Sequence, residues 1–214
     1  MNGATLTAAA IFLLAVFAVS GCSQVGVVPG EPTSAAANPG ESANAKADVR
    51  QTDEAGRPLP FTTVFPRRWS NGNDGTTYEP CTAADTTTLR AAGLDPRSAR
   101  DAAIADHQTA RGCRWSYTGS TSHSLTQIVG NNGPLHEYKL KKSTSFVWRP
   151  DTSINMRLVA VGSVHELGEC TAMVDSGRAI VFTRMSAYSD PPPIDEICDK
   201  AIAFTRATID QMPE

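Results

Sequence analysis

The chain has 214 residues, 41% hydrophobic and 19% charged, with a formal net charge of −3. Once a leader and a polar linker are subtracted, about 150 residues remain, enough for one core and too few for a second. This balance excludes nucleic acid as a partner, because a phosphate backbone demands a concentrated surplus of Lys and Arg. Here Arg67-Arg68 and Lys139-Leu140-Lys141-Lys142 are short clusters that read as solvated faces.

The N-terminus carries an apolar run from Ala8 to Ala18. It is shorter than the roughly 20 residues that span a bilayer and suits a secretory leader. Val19-Ser20-Gly21-Cys22 follows and resembles a bacterial lipobox, in which small residues precede a cysteine that is acylated and becomes the new N-terminus. The expectation is a signal peptide over residues 1–21, with the chain held on the extracytoplasmic face of the cell membrane by lipid on Cys22. Two acyl chains give stable anchoring where one does not. The alternative is an uncleaved anchor with an incidental cysteine. One departure is an n-region without Lys or Arg, which would follow if the true start lay upstream of Met1.

Residues 22–58 are rich in Gly, Pro, Ala, Ser and Asn and nearly devoid of large apolar side chains. Such a stretch cannot offset its ordering entropy and reads as a tether with a reach of about 30 Å. The globular part is expected over residues 59–214. Within it, Ser70 to Thr77 is a run of turns. Asn71, Asn73 and Asp74 hint at a calcium loop, but Thr82 stands where the closing Glu would be.

Thr82 and Asp85 suggest a capping box opening a short helix that stops near Gly93. Alternating aromatic and branched residues over Cys113–Tyr117 and Ser124–Val129 predict two strands around a Gly119-to-Ser122 loop. A helix is expected over 134–142 and a strand over 154–161. Two further strands, 170–174 and 178–185, join through Asp175-Ser176-Gly177. After Pro191-Pro192-Pro193, the spacing of Ile194, Cys198, Ala201, Ile202 and Ile209 predicts a terminal amphipathic helix, with Asp195 and Glu196 in its first turn. The expected fold is α/β of the α+β kind: a single two-layer domain, an antiparallel sheet with helices mainly on one face.

Of the five cysteines, Cys22 is set aside for the anchor, leaving Cys81, Cys113, Cys170 and Cys198. An even set outside the cytoplasm reads as two disulfides. Spacings of about thirty residues or more lack the close ligand pairs that zinc prefers, so no metal site is expected.

Glu79-Pro80-Cys81-Thr82-Ala83, Ala92-Gly93-Leu94, Arg111-Gly112-Cys113-Arg114-Trp115 and the late Cys170 and Cys198 resemble the actinobacterial lipoproteins labelled domain of unknown function 3558. The resemblance runs from about Tyr78 to the end, with the lipobox, and implies a small envelope lipoprotein without an agreed activity. From its order of elements it implies pairing of Cys81 with Cys113 and of Cys170 with Cys198.

No catalytic constellation stands out. There is no G-x-S-x-G elbow, and His107, His123, His136 and His165 each sit in polar sequence and read as surface residues. His165-Glu166-Leu167-Gly168-Glu169 lacks the second histidine of a zinc helix and reads as a solvated loop. Trp115 is expected to pack; Trp69 and Trp148, in more polar surroundings, are the candidates for ligand contact. The expected function is a non-enzymatic binding module without a cofactor. Its partners would be membrane lipid through Cys22 and an envelope protein, lipid or cell-wall component. The rivals are a cell-wall hydrolase, a thiol-disulfide protein, and a sensor or accessory subunit of a membrane complex.

Overall fold

The computed structural model describes residues 49–164 and 168–214. Cys22 and the leader lie outside the described residues, as do His165 and Glu166. The described chain forms β1 (Arg100–Asp101), β2 (Ala110–Ser116), β3 (His123–Gly130), β4 (Val147–Trp148), β5 (Thr152–Ile154), β6 (Arg157–Val164), β7 (Glu169–Ser176) and β8 (Ala179–Ala187). Its helices are α1 (Pro80–Ala83), α2 (Thr86–Ala91), α3 (Leu135–Lys141) and α4 (Ile194–Thr208). The strands pair antiparallel in the order β1-β2-β3-β8-β7-β6-β4, with β5 also on β6. This is the α+β sheet that the alternation predicts.

Three local readings shift. Glu79 caps α1 by accepting from the Cys81 N–H, with Pro80 at the first helical position. Asp85 caps a separate helix, α2, by accepting from Thr88 N–H at 2.7 Å. Asp85 is therefore the cap itself rather than the return arm of a box begun at Thr82. The predicted strand over 154–161 is a hairpin, with Asn155 and Met156 at φ +50° and +64° linking β5 to β6. Likewise β7 runs through Ser176, which pairs with Ala179, so the turn is Gly177-Arg178, with Gly177 at φ +58°.

Residues 49–58 correct the tether boundary, for they dock on the domain. Thr52 bridges Pro58, and the Gln51 side chain exchanges hydrogen bonds with the Thr63 backbone at 3.0 and 2.9 Å. Asp53 is buried. Burial opposes its charge, but hydrogen bonds donated by Thr82 Oγ1 and Arg57 outweigh that and hold its carboxyl below the ordinary range. Docking here runs through polar contacts, so a composition poor in apolar residues gave no sign of it.

One face of the sheet carries α4. Val129 of β3, Cys170, Ala172 and Val174 of β7, and Val181 and Met185 of β8 pack against Ile197, Cys198 and Ala201. The helix buries Ile197, Cys198, Ala201, Phe204, Thr205 and Thr208, a stripe rotated from the one its isoleucines suggest. Thr205 and Thr208 fit there because their hydroxyls donate back to Ala201 O and Phe204 O. Trp115 lies 5.7 Å from Phe204, the packing role expected of it. Both expected disulfides are formed: Cys81–Cys113 ties α1 to β2, and Cys170–Cys198 ties β7 to α4.

Beneath α1 sits a buried ionic cluster. Glu79 accepts from Arg68 Nη1 at 2.8 Å and from Arg111 Nη1 at 3.0 Å, and Asp101 accepts from Arg68 Nε at 3.0 Å. Arg111 also donates to the carbonyls of Thr76 and Tyr78, both at 2.8 Å. Removing one partner of such a cluster strands a charge without water. Glu79→Ala is expected to cost about 3–5 kcal/mol in denaturant unfolding. A loss below about 1 kcal/mol would mean that the two guanidinium groups reach solvent. For the disulfide 28 residues apart, the double variant Cys170→Ala/Cys198→Ala should lose about 3.5 kcal/mol by the loop-closure argument, read from the same unfolding curves.

Candidate functional site

The opposite face of the sheet is only half covered. Leu135 of α3 packs on Ala160, Met173, Ile180 and Phe182, with Tyr138, Phe146 and Trp148 around it. Gly162 makes room for the aromatic pair, because a Cβ there would stand 3.0 Å from Phe146 and 3.1 Å from Trp148. Tyr138 meets Phe182 edge-on at 5.2 Å, and Phe146 lies 5.1 Å from Trp148. Past the end of this cover a groove of about 270 Å³ opens on the sheet. Its floor is Ile128 and Phe182, Tyr138 and Phe146 form one wall, and Thr126, Thr171 and Arg184 stand at its polar end.

Burial pushes the Tyr138 phenol above its ordinary range, so it stays a neutral donor at any physiological pH. Arg184 is exposed on one side and reaches Glu169 at 3.7 Å on the other. Glu169 corrects the solvated-loop reading. It opens β7, is buried, and accepts hydrogen bonds from Ser186 Oγ at 3.0 Å and Tyr188 OH at 2.6 Å.

Trp148 and Trp69 part ways. Trp148 stands behind Phe146 at the groove's edge, half-buried, with Lys139 Nζ 5.3 Å from its ring centre. Among the described residues its buried Nε1–H has no partner. Trp69 is no open contact: the guanidinium groups of Arg50 and Arg68 lie over its ring at 4.3 and 4.7 Å. Arg68, its polar neighbour in sequence, is one of the two arginines that cover it. Of the histidines, His107 touches Arg67 and His123 Nε2 lies 3.2 Å from Ser189 O. His136 is exposed on α3. In the Ser70–Thr77 turns, Asn73 Nδ2 donates to the Arg68 and Gln108 carbonyls at 3.1 and 2.9 Å, and Asp74 accepts from Asn131 Nδ2 at 2.8 Å. Their polar groups serve the turns themselves.

A larger hollow of about 480 Å³ lies between α2 and α4, lined by alanines, threonines, Tyr117 and Phe204, with Lys200 as its one charged group. Small-molecule sites combine apolar walls with converging polar groups. Both have polar groups, but the groove beside α3 sets the aromatic wall of Tyr138 and Phe146 over an apolar floor, whereas the hollow is walled mainly by alanines and threonines. Sequence reasoning missed Ile128, Phe182 and Arg184, although β3 and β8 were both read as strands. With both sheet faces buried, alternation could not say which residues shared a face with an opening.

Fold and groove together define a disulfide-stapled α+β domain with an amphipathic cleft on its less covered face. The chain belongs to the family described as protein of unknown function DUF3558, whose model matches residues 17–211. No curated protein and no solved structure matches it.

Proposed function

We propose that this chain is an exported envelope lipoprotein, anchored through acylated Cys22, whose domain is a binding module rather than an enzyme. The ligand's apolar part occupies the groove over Ile128 and Phe182. One observation carries this reading: an aromatic-walled cleft with a polar end lies on the sheet face that α4 leaves open. The lipobox-like Val19-Ser20-Gly21-Cys22 supports the anchor, and two disulfides suit an oxidising compartment. No helix among the described residues is long and apolar enough to cross a membrane, so in this reading lipid on Cys22 supplies the attachment. All four paired cysteines are buried, which disfavours the rival thiol-disulfide enzyme, since exchange needs an accessible sulfur.

The neutral apolar probe N-phenyl-1-naphthylamine tests the groove. Its fluorescence should rise on binding, and Phe146→Ser should weaken binding by about tenfold, roughly 1.4 kcal/mol. Equal binding by the variant would sink the groove as the site. The anchor is tested separately by feeding labelled palmitate to the native host: the chain should take up label, Cys22→Ser should not, and an unlabelled wild-type chain would end the lipoprotein reading.

A further inference from the structure

Arg184 does more than close the groove, for it belongs to a row that crosses the sheet. It lies opposite Thr126, Thr126 opposite Arg114, and Arg114 opposite Arg100. All four share the face turned away from α4. The neighbours of Arg114 in β2, Cys113 and Trp115, are buried in the core on the other side, as are Thr183 and Met185 beside Arg184. Adjacent strands lie about 4.8 Å apart, which sets the backbones of Arg114 and Arg184 about 10 Å apart. The short Thr126 side chain stands between them, and Arg100 lies one strand further out.

Three features make this row more than a solvated face. First, Arg100, Arg114 and Arg184 are exposed in a chain whose net charge is −3, so the alignment does not follow from a basic surplus. Second, Arg100 and Arg114 are directly opposite, an arrangement that like charges disfavour. Among the described residues neither makes a salt bridge. Third, among the described residues Glu169 is the one carboxylate in a salt bridge with the row, and it is buried and already accepts from Ser186 and Tyr188. The row also runs into the groove, whose lining includes both Thr126 and Arg184.

We propose that the row holds the anionic headgroup of a lipid-like amphiphile. The forks of Arg114 and Arg184 bind its phosphate oxygens across Thr126, Arg100 adds long-range attraction, and the apolar tail lies in the groove along Ile128 and Phe182. Guanidinium forks match phosphate oxygens in pairs, and charge-assisted bonds of this kind are the stronger class. The inference rests on the groove reading above and adds the chemical class of the ligand.

The test uses the full chain and two soluble short-chain lipids, dihexanoylphosphatidylglycerol and dihexanoylphosphatidylcholine, with inorganic phosphate as competitor, followed by calorimetry. The anionic lipid should bind about tenfold more tightly than the zwitterionic one. Arg114→Gln/Arg184→Gln should erase that difference, and Arg114→Gln alone, exposed and outside the groove lining, should reduce it while leaving N-phenyl-1-naphthylamine binding and the thermal midpoint unchanged. Arg114→Lys/Arg184→Lys should recover part of it. Equal binding of the two lipids by the unaltered chain, with the naphthylamine still bound, would overturn the arginine row and leave the groove standing. Displacement of the anionic lipid by an equal concentration of inorganic phosphate would identify a free anion as the ligand and overturn the amphiphile. If neither lipid nor the naphthylamine binds, the groove reading fails and the headgroup proposal with it.

Discussion

The pairing of β3 with β8 is the contact on which everything else rests. Eight residues of each strand stand in register, from His123 against Ala187 to Gly130 against Ile180, joining residues fifty or more positions apart. The β2–β3 hairpin and the β6–β7–β8 meander are separate without it. Its register is pinned from inside the core by a polar network. Tyr78 OH donates to Gln127 Oε1 at 2.7 Å, and Gln127 Nε2 donates to Thr183 Oγ1 at 2.9 Å and Thr208 Oγ1 at 3.1 Å. A one-residue slip would turn Gln127 to the other face and leave the Tyr78 hydroxyl buried without its acceptor.

Tyr78 shows how exclusive that environment is, since burial drives its phenol far above the ordinary range. The same network reaches α4 through Thr208, one turn from the Phe204 that packs on Trp115. Helix, sheet and N-terminal segment are therefore positioned by one set of directional bonds and two covalent ones. The disulfides and the Arg68–Glu79–Arg111 cluster hold the α4 side rigid. The opposite face, where α3 packs on Ala160, Met173, Ile180 and Phe182 but leaves Arg184 exposed, is left to be shaped by Phe146, Tyr138 and Trp148.

This division explains the placement of the groove and of the arginine row. On the α4 face, odd-numbered residues of β3 and β8 face the helix and its core. On the other face, the even-numbered residues change along the strands from Ile128 and Phe182, under the edge of α3, to Thr126 and Arg184 beyond it. Apolar floor and basic end are thus one continuous strip. An amphiphile has the same order of parts, and the groove beside α3 leaves that strip open.

Much of the framework was legible in the residues themselves. Alternation marked β2 and β3, the Asp-Ser-Gly segment placed the β7–β8 hairpin to within two residues, and the tripeptide of prolines announced α4. Local chemistry suffices there, because strand period, turn residues and caps act within a few positions of one another. Cysteine count and family resemblance added the two disulfides. Tertiary structure alone decided what depends on register between distant segments: that residues 49–58 dock through hydrogen bonds, that two arginines cover Trp69, that Glu169 is buried, and that Arg100, Arg114 and Arg184 fall on one line. No local pattern encodes such a line. It exists only once β3 and β8 have chosen each other, and that choice is made by the buried partners of Gln127 rather than by anything near the arginines.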